Sequence, residues 1–498
     1  MHAWFAGAFE RCLELCEAVR PRNAELRMHI ALLRARALLR LDRAAEALQE
    51  LRDASTIPSA SDESLTLRML TGSAHVRAGE VERGLALLKE LQQDAFGAHP
   101  TIRSEIALNV AVAHYALHEF DAAERELDGV DAKADIVYAR ALEYRGWIAF
   151  TRVDGAKATA IFFRALEALD HCRHYDRFLE ANCLRALSHL ALERLDRKTW
   201  AQVEERRARF DWSVNGLSQP HFWTAYCAAT YALDVQGNAL RAAREARTAE
   251  RVAPTEAYRV QALCKRAAIA RSAGEPVSER DNAEAAADLF ATLKPSDLTG
   301  DATIVPLVLA EQLAMLPLGD AARSALNVFM RPSRRSAVLW VTHSPITQAY
   351  QRLIEGAVCE ATGERRAALR RYREAFTMYA DLGYERRALD VALRLMRLSG
   401  DRKATAYAQA HARKLAPQSW MRKELEKTKT PAVKLTAVQR EVLLLICRGK
   451  SNPEIGRLRK RSLHTIRNLV SRLFEIFEVS SREELAVECV RRGLYTPN

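Results

Sequence analysis

Apolar residues along this chain recur mostly at helical spacing, and the alternation of apolar and polar residues that marks a β-strand is nearly absent. In the segment LTAVQREVLLLI, Val442, Leu443, Leu445 and Ile446 fall on one side of a helical period. Gly (20) and Pro (15) are sparse among the 498 residues, while the good helix formers Ala, Leu, Arg and Glu dominate. The pattern predicts an all-α protein, and the length predicts several domains or a repeat array.

Within this helical pattern, pairs of small residues recur twelve positions apart. The pairs are Ala35 and Ala47, Gly72 and Gly84, Ala111 and Ala123, Gly146 and Ala158, and Gly356 and Ala368. Small side chains at this spacing let two antiparallel helices approach closely across a short turn, near which Gly79, Gly237 or Gly363 stands. The spacing therefore predicts a series of helical hairpins.

The hairpin pattern resembles the tetratricopeptide repeat, most clearly at Gly356, Gly363, Ala368, Tyr372 and Ala375. Successive anchors at positions 35, 72, 111 and 146 are 37, 39 and 35 residues apart, so the copies are longer than the regular repeat. The resemblance implies a tetratricopeptide-like α-solenoid of about nine or ten hairpins over residues 1–420, whose concave surface binds a small-molecule or protein effector. The alternative is that the array only carries the segment that follows it.

A linker and a second, smaller domain are predicted after the array. Residues 421–434 contain KTKTPAVK, which mixes Lys, Thr and Pro with little periodicity and is typical of a linker. Residues 435–498 are predicted to form four helices, over 437–448, 452–459, 463–477 and 482–492. The helix starts are marked by capping boxes at Thr436 with Gln439, Ser451 with Glu454, and Ser480 with Glu483, and by Ser462.

The second and third of these helices form a helix-turn-helix, Asn452 to Phe477, and the segment looks like the DNA-binding domain of the LuxR family of bacterial transcription regulators. The matching positions are Leu435, Thr436, Arg440, Glu441, Val442, Leu443, Gly449, Ser451, Asn452, Glu454, Ile455, Ser462, Thr465, Ile466, Val479, Ser481, Arg482, Gly493 and Leu494. The resemblance implies that the third helix enters the DNA major groove and that the fourth pairs two copies of the chain.

The third helix has an apolar face that is predicted to be buried, formed by Ile466, Val470, Leu473 and Phe477. The outward residues expected to contact DNA bases are His464, Arg467, Asn468 and Ser471. Those expected to contact the DNA backbone are Lys450, Ser451, Asn452, Arg457, Arg459, Lys460, Arg461, Ser462, Thr465 and Arg472. The alternative is that these outward side chains are simply solvated.

The segment departs from the family pattern in ways that bear on DNA recognition. Arg459-Lys460-Arg461 stands where the family usually has Leu-Gly-Ile, which makes the turn more basic and less well packed. Leu469 replaces a common histidine and Ile476 a common lysine, while Glu475 and Glu478 balance Arg467 and Arg472. The recognition helix is therefore formally neutral, and its sequence specificity is expected to be weak.

Composition favours a soluble cytoplasmic protein. Nine scattered cysteines are typical of a reducing compartment, and the first residues, MHAWFAGAFE, lack the basic start of a signal peptide. The most apolar stretch, residues 304–318, is too short to span a bilayer. Of the formal net charge of +12, the 13 Lys and Arg residues against 7 Asp and Glu residues in 431–498 contribute half, which suits a polyanionic partner.

No catalytic, metal or cofactor motif rises above background, so the chain is not expected to be an enzyme. Gly449-Lys450-Ser451 resembles the end of a phosphate-binding P-loop, but Leu444 stands where that loop requires glycine. His114 with His118, and the HCRH segment at 171–174, supply too few ligands for a zinc site.

The overall pattern is similar to the large bacterial regulators related to the maltose activator, without their nucleotide-binding module. It predicts a transcription regulator whose C-terminal domain binds promoter DNA, as a dimer, under control of an effector on the solenoid. The expected partners are double-stranded DNA, RNA polymerase, a second copy of the chain and the effector. The alternative function is an interaction scaffold whose C-terminal domain does not recognise DNA sequence.

Overall fold

The structure, a computed structural model, describes residues 2–58, 60–298, 300–316, 318–330, 344–429, 435–477, 479–491 and 494–495. Over these ranges the regular elements are helices, and no strand occurs among them. The predicted all-α fold is confirmed.

Ten helical hairpins follow one another in the described part of residues 24–411, after the short helices α1 (His2–Phe5) and α2 (Phe9–Ala18). The hairpins are α3–α4 (Ala24–Arg40, Ala44–Ala54), α5–α6 (Ser61–Arg77, Val81–Asp94), α7–α8 (Pro100–Ala116, Phe120–Asp128), α9–α10 (Ile136–Thr151, Gly155–Asp170), α11–α12 (Arg177–Glu193, Arg197–Arg209), α13–α14 (Ser218–Thr230, Ala239–Arg251), α15–α16 (Glu256–Ala273, Pro276–Thr292), α17–α18 (Val305–Met315, Gly319–Met330), α19–α20 (Pro345–Ala361, Arg365–Asp381) and α21–α22 (Glu385–Ser399, Arg402–His411). A π-helical turn, Tyr231–Gln236, extends α13. The predicted tetratricopeptide-like solenoid is therefore present.

The small residues identified in the sequence lie where paired helices touch. A Cβ atom added to Gly84 would lie 2.6 Å from the backbone oxygen of Gly72, and one added to Gly146 would lie 2.7 Å from the Phe162 ring. Ala35 and Ala47 are both 0% exposed. Since Cβ atoms essentially never approach other atoms this closely, larger residues at the two glycines would push the hairpins apart.

The array coils far enough for distant repeats to meet. On α21, Arg386 donates to Glu193 of α11 at 2.6 Å and to Asp234 of the π-turn at 2.9 Å. Arg386, Glu193 and Asp234 are 5%, 4% and 7% exposed. We call these three residues the closure cluster, because they join helices that lie almost 200 positions apart in the sequence.

A further helix, α23 (Trp420–Lys429), corrects the linker predicted over 421–434. The Trp420 Nε1–H donates to Asp234 at 2.9 Å, and the Ala416 N–H donates to the Val235 carbonyl at 2.9 Å. Met421 and Leu425 are each 1% exposed, because they repeat at one helical turn and face the array. Residues 430–434 lie outside the described residues.

The four predicted C-terminal helices are α24 (Ala437–Cys447), α25 (Asn452–Arg459), α26 (Leu463–Phe477) and α27 (Arg482–Arg491). Their shared core consists of Val442, Leu443, Ile446, Ile455, Ile466, Val470, Leu473, Phe477, Leu485 and Cys489. The cap of α27 differs from the prediction, because the Glu484 carboxylate, not that of Glu483, accepts the Ser480 N–H at 2.8 Å. The Glu484 N–H in turn donates to the Ser481 hydroxyl. Glu478 and Gly493, both considered in the comparison with the LuxR family pattern, lie outside the described residues.

In the part of the chain that the structure covers, no helix has both the length and the apolar character needed to cross a bilayer.

The closure cluster predicts a large stability effect for Arg386→Met. Removing the guanidinium leaves two buried carboxylates without their cation, which typically costs about 3–5 kcal/mol. Urea unfolding followed by tryptophan fluorescence should show the loss. The control is Arg43→Met, which breaks an exposed pair with Glu46 and should cost less than about 1 kcal/mol. Equal effects of the two substitutions would contradict the role given to the cluster.

Candidate functional site

The first candidate site is the outward face of α26 and the turn before it. The Ser462 hydroxyl accepts the Thr465 N–H at 3.1 Å and so caps the start of α26. Ile466, Val470 and Leu473 are buried against the other helices. The opposite face of α26 therefore points to solvent.

The predicted DNA contacts, on α26, on the turn before it and around α25, are exposed with one exception. The exposed residues are Lys450, Ser451, Arg457, Arg459, Lys460, Arg461, Ser462, His464, Thr465, Arg467, Asn468, Ser471 and Arg472. Asn452 is half-buried, and its Oδ1 accepts a hydrogen bond from Arg482 of α27 at 2.6 Å. Because Arg482 also donates to the Lys450 carbonyl, Asn452 helps to hold α27 against the start of α25.

Several of these exposed side chains already have partners within the unit. Arg459 lies 2.5 Å from the Glu441 carboxylate, and Lys450 lies 3.4 Å from that of Glu454. Hydrogen bonds from the Ser451 N–H and hydroxyl lower the pKa of Glu454 to about 2. On α26, the Asn468 amide lies 3.3 Å from the His464 ring nitrogen. The sequence did not indicate the Arg459 or Arg482 contacts, because both partners come from other helices.

The turn between α25 and α26 is strained at Lys460. This residue ends α25 in the left-handed conformation, with φ +48° and ψ +47°. A Cβ added to Gly456 would lie 3.1 Å from the Arg461 carbonyl oxygen, so the turn is also tight. In the LuxR family pattern, glycine stands at the position of Lys460. Glycine suits this position because it adopts a positive φ without strain.

The second candidate site lies on the concave side of the array. We call it the N-terminal groove; it has a volume of about 430 Å³, and its wall includes Asn109, Tyr144, Trp147, Asn182 and Arg185. These residues belong to α7, α9 and α11, the first helices of their hairpins. The groove is therefore built by the inner layer of the solenoid.

Charge in the N-terminal groove is unbalanced towards the positive. Among its described lining residues, the arginines are Arg36, Arg40, Arg77, Arg140 and Arg185, and the carboxyl groups are Glu105, Glu143 and Asp301. Burial raises the pKa of Glu143 to about 7, although Arg140 and the Trp147 N–H oppose the shift. Near neutral pH the carboxyl groups therefore offset only part of the arginine charge.

A smaller cavity adjoins this groove. We call it the inner cavity; it has a volume of about 250 Å³ and shares Trp147, Phe150 and Arg185 with the groove wall. Its remaining wall includes further residues of α11 and residues of α13, α15, α17, α19, α20 and α21. Neither site was predicted from the sequence, because lining residues from distant repeats carry no local spacing signal.

The histidines considered above as metal ligands have other contacts. His114 is 4% exposed, and its Nδ1 lies 2.6 Å from the Glu119 carboxylate. His174 stacks on Phe5, and His171 lies 2.7 Å from the Glu167 carbonyl oxygen. Over the described ranges, no three or more His, Cys, Asp or Glu side chains are arranged to hold a metal ion.

Comparisons with known proteins found structural similarity at low sequence identity. No protein-family model and no curated protein matches the sequence. Among solved structures, a Rap protein complexed with Competence and Sporulation Factor is 14% identical, with a TM-score of 0.47, covering 74% of this chain and 99% of that one. The human IFIT1 dimer with m7Gppp-AAAA is 14% identical, with a TM-score of 0.33, covering 90% and 85%. The Cut9-Hcn1 hetero-tetramer of the APC/C is 13% identical, with a TM-score of 0.25, covering 85% and 92%.

All three TM-scores are below 0.5, so nothing is carried over from these proteins to this chain. The assignment of a tetratricopeptide-like array rests on the hairpins described above. The resemblance of residues 435–498 to the LuxR family stays a prediction.

The strained turn predicts that Lys460→Gly stabilises the C-terminal helices. Glycine avoids the left-handed penalty, which exceeds its greater unfolded-state entropy, so we expect a gain of roughly 0.5–1 kcal/mol. Hydrogen exchange of the amides of residues 466–473 in the full chain measures the effect. Arg461→Gly is the matched control, since it removes the same charge at a residue without positive φ. Greater protection in the control than in Lys460→Gly would refute the prediction.

Proposed function

We propose that this chain is a protein-interaction protein whose helical array binds a partner in the N-terminal groove. The observation that carries the proposal is the groove itself, a concave volume of about 430 Å³ on the inner layer of a coiled array. Helical arrays commonly use this surface for binding, because successive repeats present it in an unbroken row.

The chemistry of the groove favours an acidic, extended polypeptide segment. Asn109 and Asn182 both line the groove, and side-chain amides can donate to and accept from a peptide backbone. Asn109 already accepts from the Ser73 hydroxyl and donates to the Glu105 carbonyl, which leaves one N–H and one lone pair for a peptide. Tyr144 and Trp147 offer apolar surface with a polar edge. The excess of arginines attracts carboxylates of a partner and disfavours a basic one.

Selection from a displayed peptide library tests this proposal on the full chain. We expect enrichment of acidic peptides and, for Asn109→Ala with Asn182→Ala, affinities reduced by about tenfold, equivalent to about 1.4 kcal/mol of lost hydrogen bonding. The control is Gln49→Ala, an exposed amide on α4 outside the groove. No enrichment, or equal binding by the double variant, would exclude the groove as the binding surface.

A second candidate function is DNA binding as a bacterial transcription regulator of the LuxR type in the cytoplasm. The observation in its favour is that a short helix, a tight turn and the 15-residue α26 expose 13 of the 14 predicted DNA contacts. Arg467 and Asn468 are of the types that pair bidentately with guanine and adenine, and both point to solvent. The basic residues of the turn, Lys460 and Arg461, suit phosphate contacts.

In this second function, α26 enters the major groove and two copies bind adjacent half-sites. The array binds a small-molecule or protein effector, which controls whether the C-terminal unit reaches promoter DNA and RNA polymerase. The competing hypothesis is that the same unit contacts a protein and does not recognise DNA sequence. Its support is the partial neutralisation of the surface, in which Glu441 holds Arg459 and Glu475 lies on α26 itself.

Selection of genomic fragments by the full-length protein distinguishes these hypotheses. We expect one enriched motif, its loss on Arg467→Ala with Asn468→Ala, and retention by the control Arg11→Ala, an exposed residue of α2. Affinity should also fall steeply with salt, because each phosphate contact contributes a slope of about −0.9 in log K against log salt. Motif-free binding that is equal in both variants would favour the scaffold.

A further inference from the structure

The inner cavity lies where both halves of the array face each other. Its wall includes residues of α9, α11, α13, α15, α17, α19, α20 and α21, and its volume is about 250 Å³. The aromatic residues of the wall are Trp147, Phe150, Trp223, Tyr226, Tyr350, Tyr379 and Tyr384. This is space for a small molecule with an apolar body, and it is too confined for an extended peptide.

Most ionic groups around the inner cavity are already paired. Arg185 lies 2.8 Å from Asp301, and Arg386 holds Glu193 in the closure cluster. Glu311, just behind the wall, accepts from Tyr350 at 2.9 Å and lies 3.8 Å from Arg387. The opposite charges within each pair largely cancel, so these groups offer little net charge to a ligand.

Lys265 on α15 is different from these paired groups. Its Nζ lies over the Tyr226 ring, 4.7 Å from the ring centre, and no carboxylate of the described residues comes within 4.0 Å of it. Lys265 is half-buried and borders the cavity. A cation with no close carboxylate partner next to a cavity is a binding group for an anion.

Gln261 supplies a second, independent observation. It stands one helical turn before Lys265 on α15, borders the same cavity and is 0% exposed. Among the residues that the structure describes, neither its amide oxygen nor its amide nitrogen has a hydrogen-bond partner. Because leaving a buried amide without a hydrogen bond is unfavourable, a ligand that bonds to it recovers stabilisation that the protein alone does not supply.

The placement of Lys265 decides the sign of the ligand. The other cations of the wall, Arg185, Arg386 and Arg387, are offset by Glu193 and Asp301 on the wall and by Asp234 and Glu311 behind it. An aromatic cage can also attract a cation, but the Lys265 ammonium already lies over the Tyr226 ring and repels one.

We propose that the inner cavity binds a small organic anion. Its carboxylate or phosphate is held by the Lys265 ammonium and the Gln261 amide N–H, and its apolar body lies against Trp223, Tyr226 and Tyr350. The inference rests on the proposed function, in which the array is the ligand-binding part of the chain, and it names the ligand class for a cavity next to the N-terminal groove.

The pH dependence of binding follows from Lys265. Burial lowers the pKa of its ammonium to about 8, against the pull of Asp234. The charged groups that act on it from the surrounding elements are Asp234, Glu311, Arg386 and Arg387. Burial raises the pKa of the Tyr226 hydroxyl above its usual range. An anion should therefore bind most tightly at pH values below about 8, where Lys265 is charged. Its affinity should fall as the pH rises through this value.

Calorimetric titration of the full-length protein tests the proposal. The probes are benzoate and phenyl phosphate, and benzamide and benzyl alcohol are their neutral counterparts. We expect the anions to bind at least tenfold more tightly than the neutral probes, and quenching of tryptophan fluorescence should accompany binding. The difference between benzoate and phenyl phosphate distinguishes a carboxylate ligand from a phosphate ligand.

Variants locate the binding within the cavity. Lys265→Met and Gln261→Glu should each weaken anion binding at least tenfold, while Lys265→Arg keeps the charge and retains most of it. The control is Lys89→Met, at an exposed lysine of α6. Circular dichroism of each variant excludes loss of the fold as the cause.

The proposal is overturned if no anion binds to the wild-type protein at millimolar concentration, if neutral probes bind equally, or if Lys265→Met leaves affinity unchanged. These outcomes remain separable from the proposed function, since peptide selection is tested through Asn109 and Asn182, which line the groove but not the inner cavity. Peptide binding without anion binding would leave that function standing and remove this inference.

Discussion

The closure cluster is the constraint on which the shape of the array depends. Repeats in a solenoid contact mainly their neighbours, so local packing alone does not decide how tightly the array coils. Arg386 fixes the coiling because it binds Glu193 and Asp234, which come from hairpins far earlier in the chain. Because all three side chains are buried, the burial of each charge is tolerated only while its ionic partners are in place. The inner cavity exists because this contact brings α11 and α21 together.

Sequence patterns predicted the parts of the fold that depend on nearby residues. The twelve-residue spacing of Gly72 and Gly84 reports a contact within one hairpin, and the spacing of Thr436 and Gln439 reports a single helix start. Helix α23 was missed, because its burial depends on Asp234 and Val235, almost two hundred residues away. The local pattern of Lys and Thr gives no sign that Trp420 contacts the π-helical turn, which is distant in the sequence.

At the candidate sites, too, the sequence predicted local features and missed those that depend on distant residues. The apolar face of α26 predicted which of its residues point outward, because a helix fixes both faces at once. It could not show that Asn452 is engaged by Arg482 of another helix, or that Lys460 carries the left-handed turn. The inner cavity gave no sequence signal, since Lys265 and Gln261 look like ordinary helical residues until the solenoid closes around them.

The closure cluster also connects the inner cavity to the start of α23. Arg386 lines the cavity, its partner Asp234 accepts the Trp420 N–H, and Trp420 is the first residue of that helix. Asp234 also acts on Lys265, whose ammonium it helps to keep charged. A bound anion changes the field at the same carboxylate that positions α23. If α23 has two arrangements to which the anion binds with unequal affinity, occupancy and helix position are thermodynamically linked, in both directions and by the same factor.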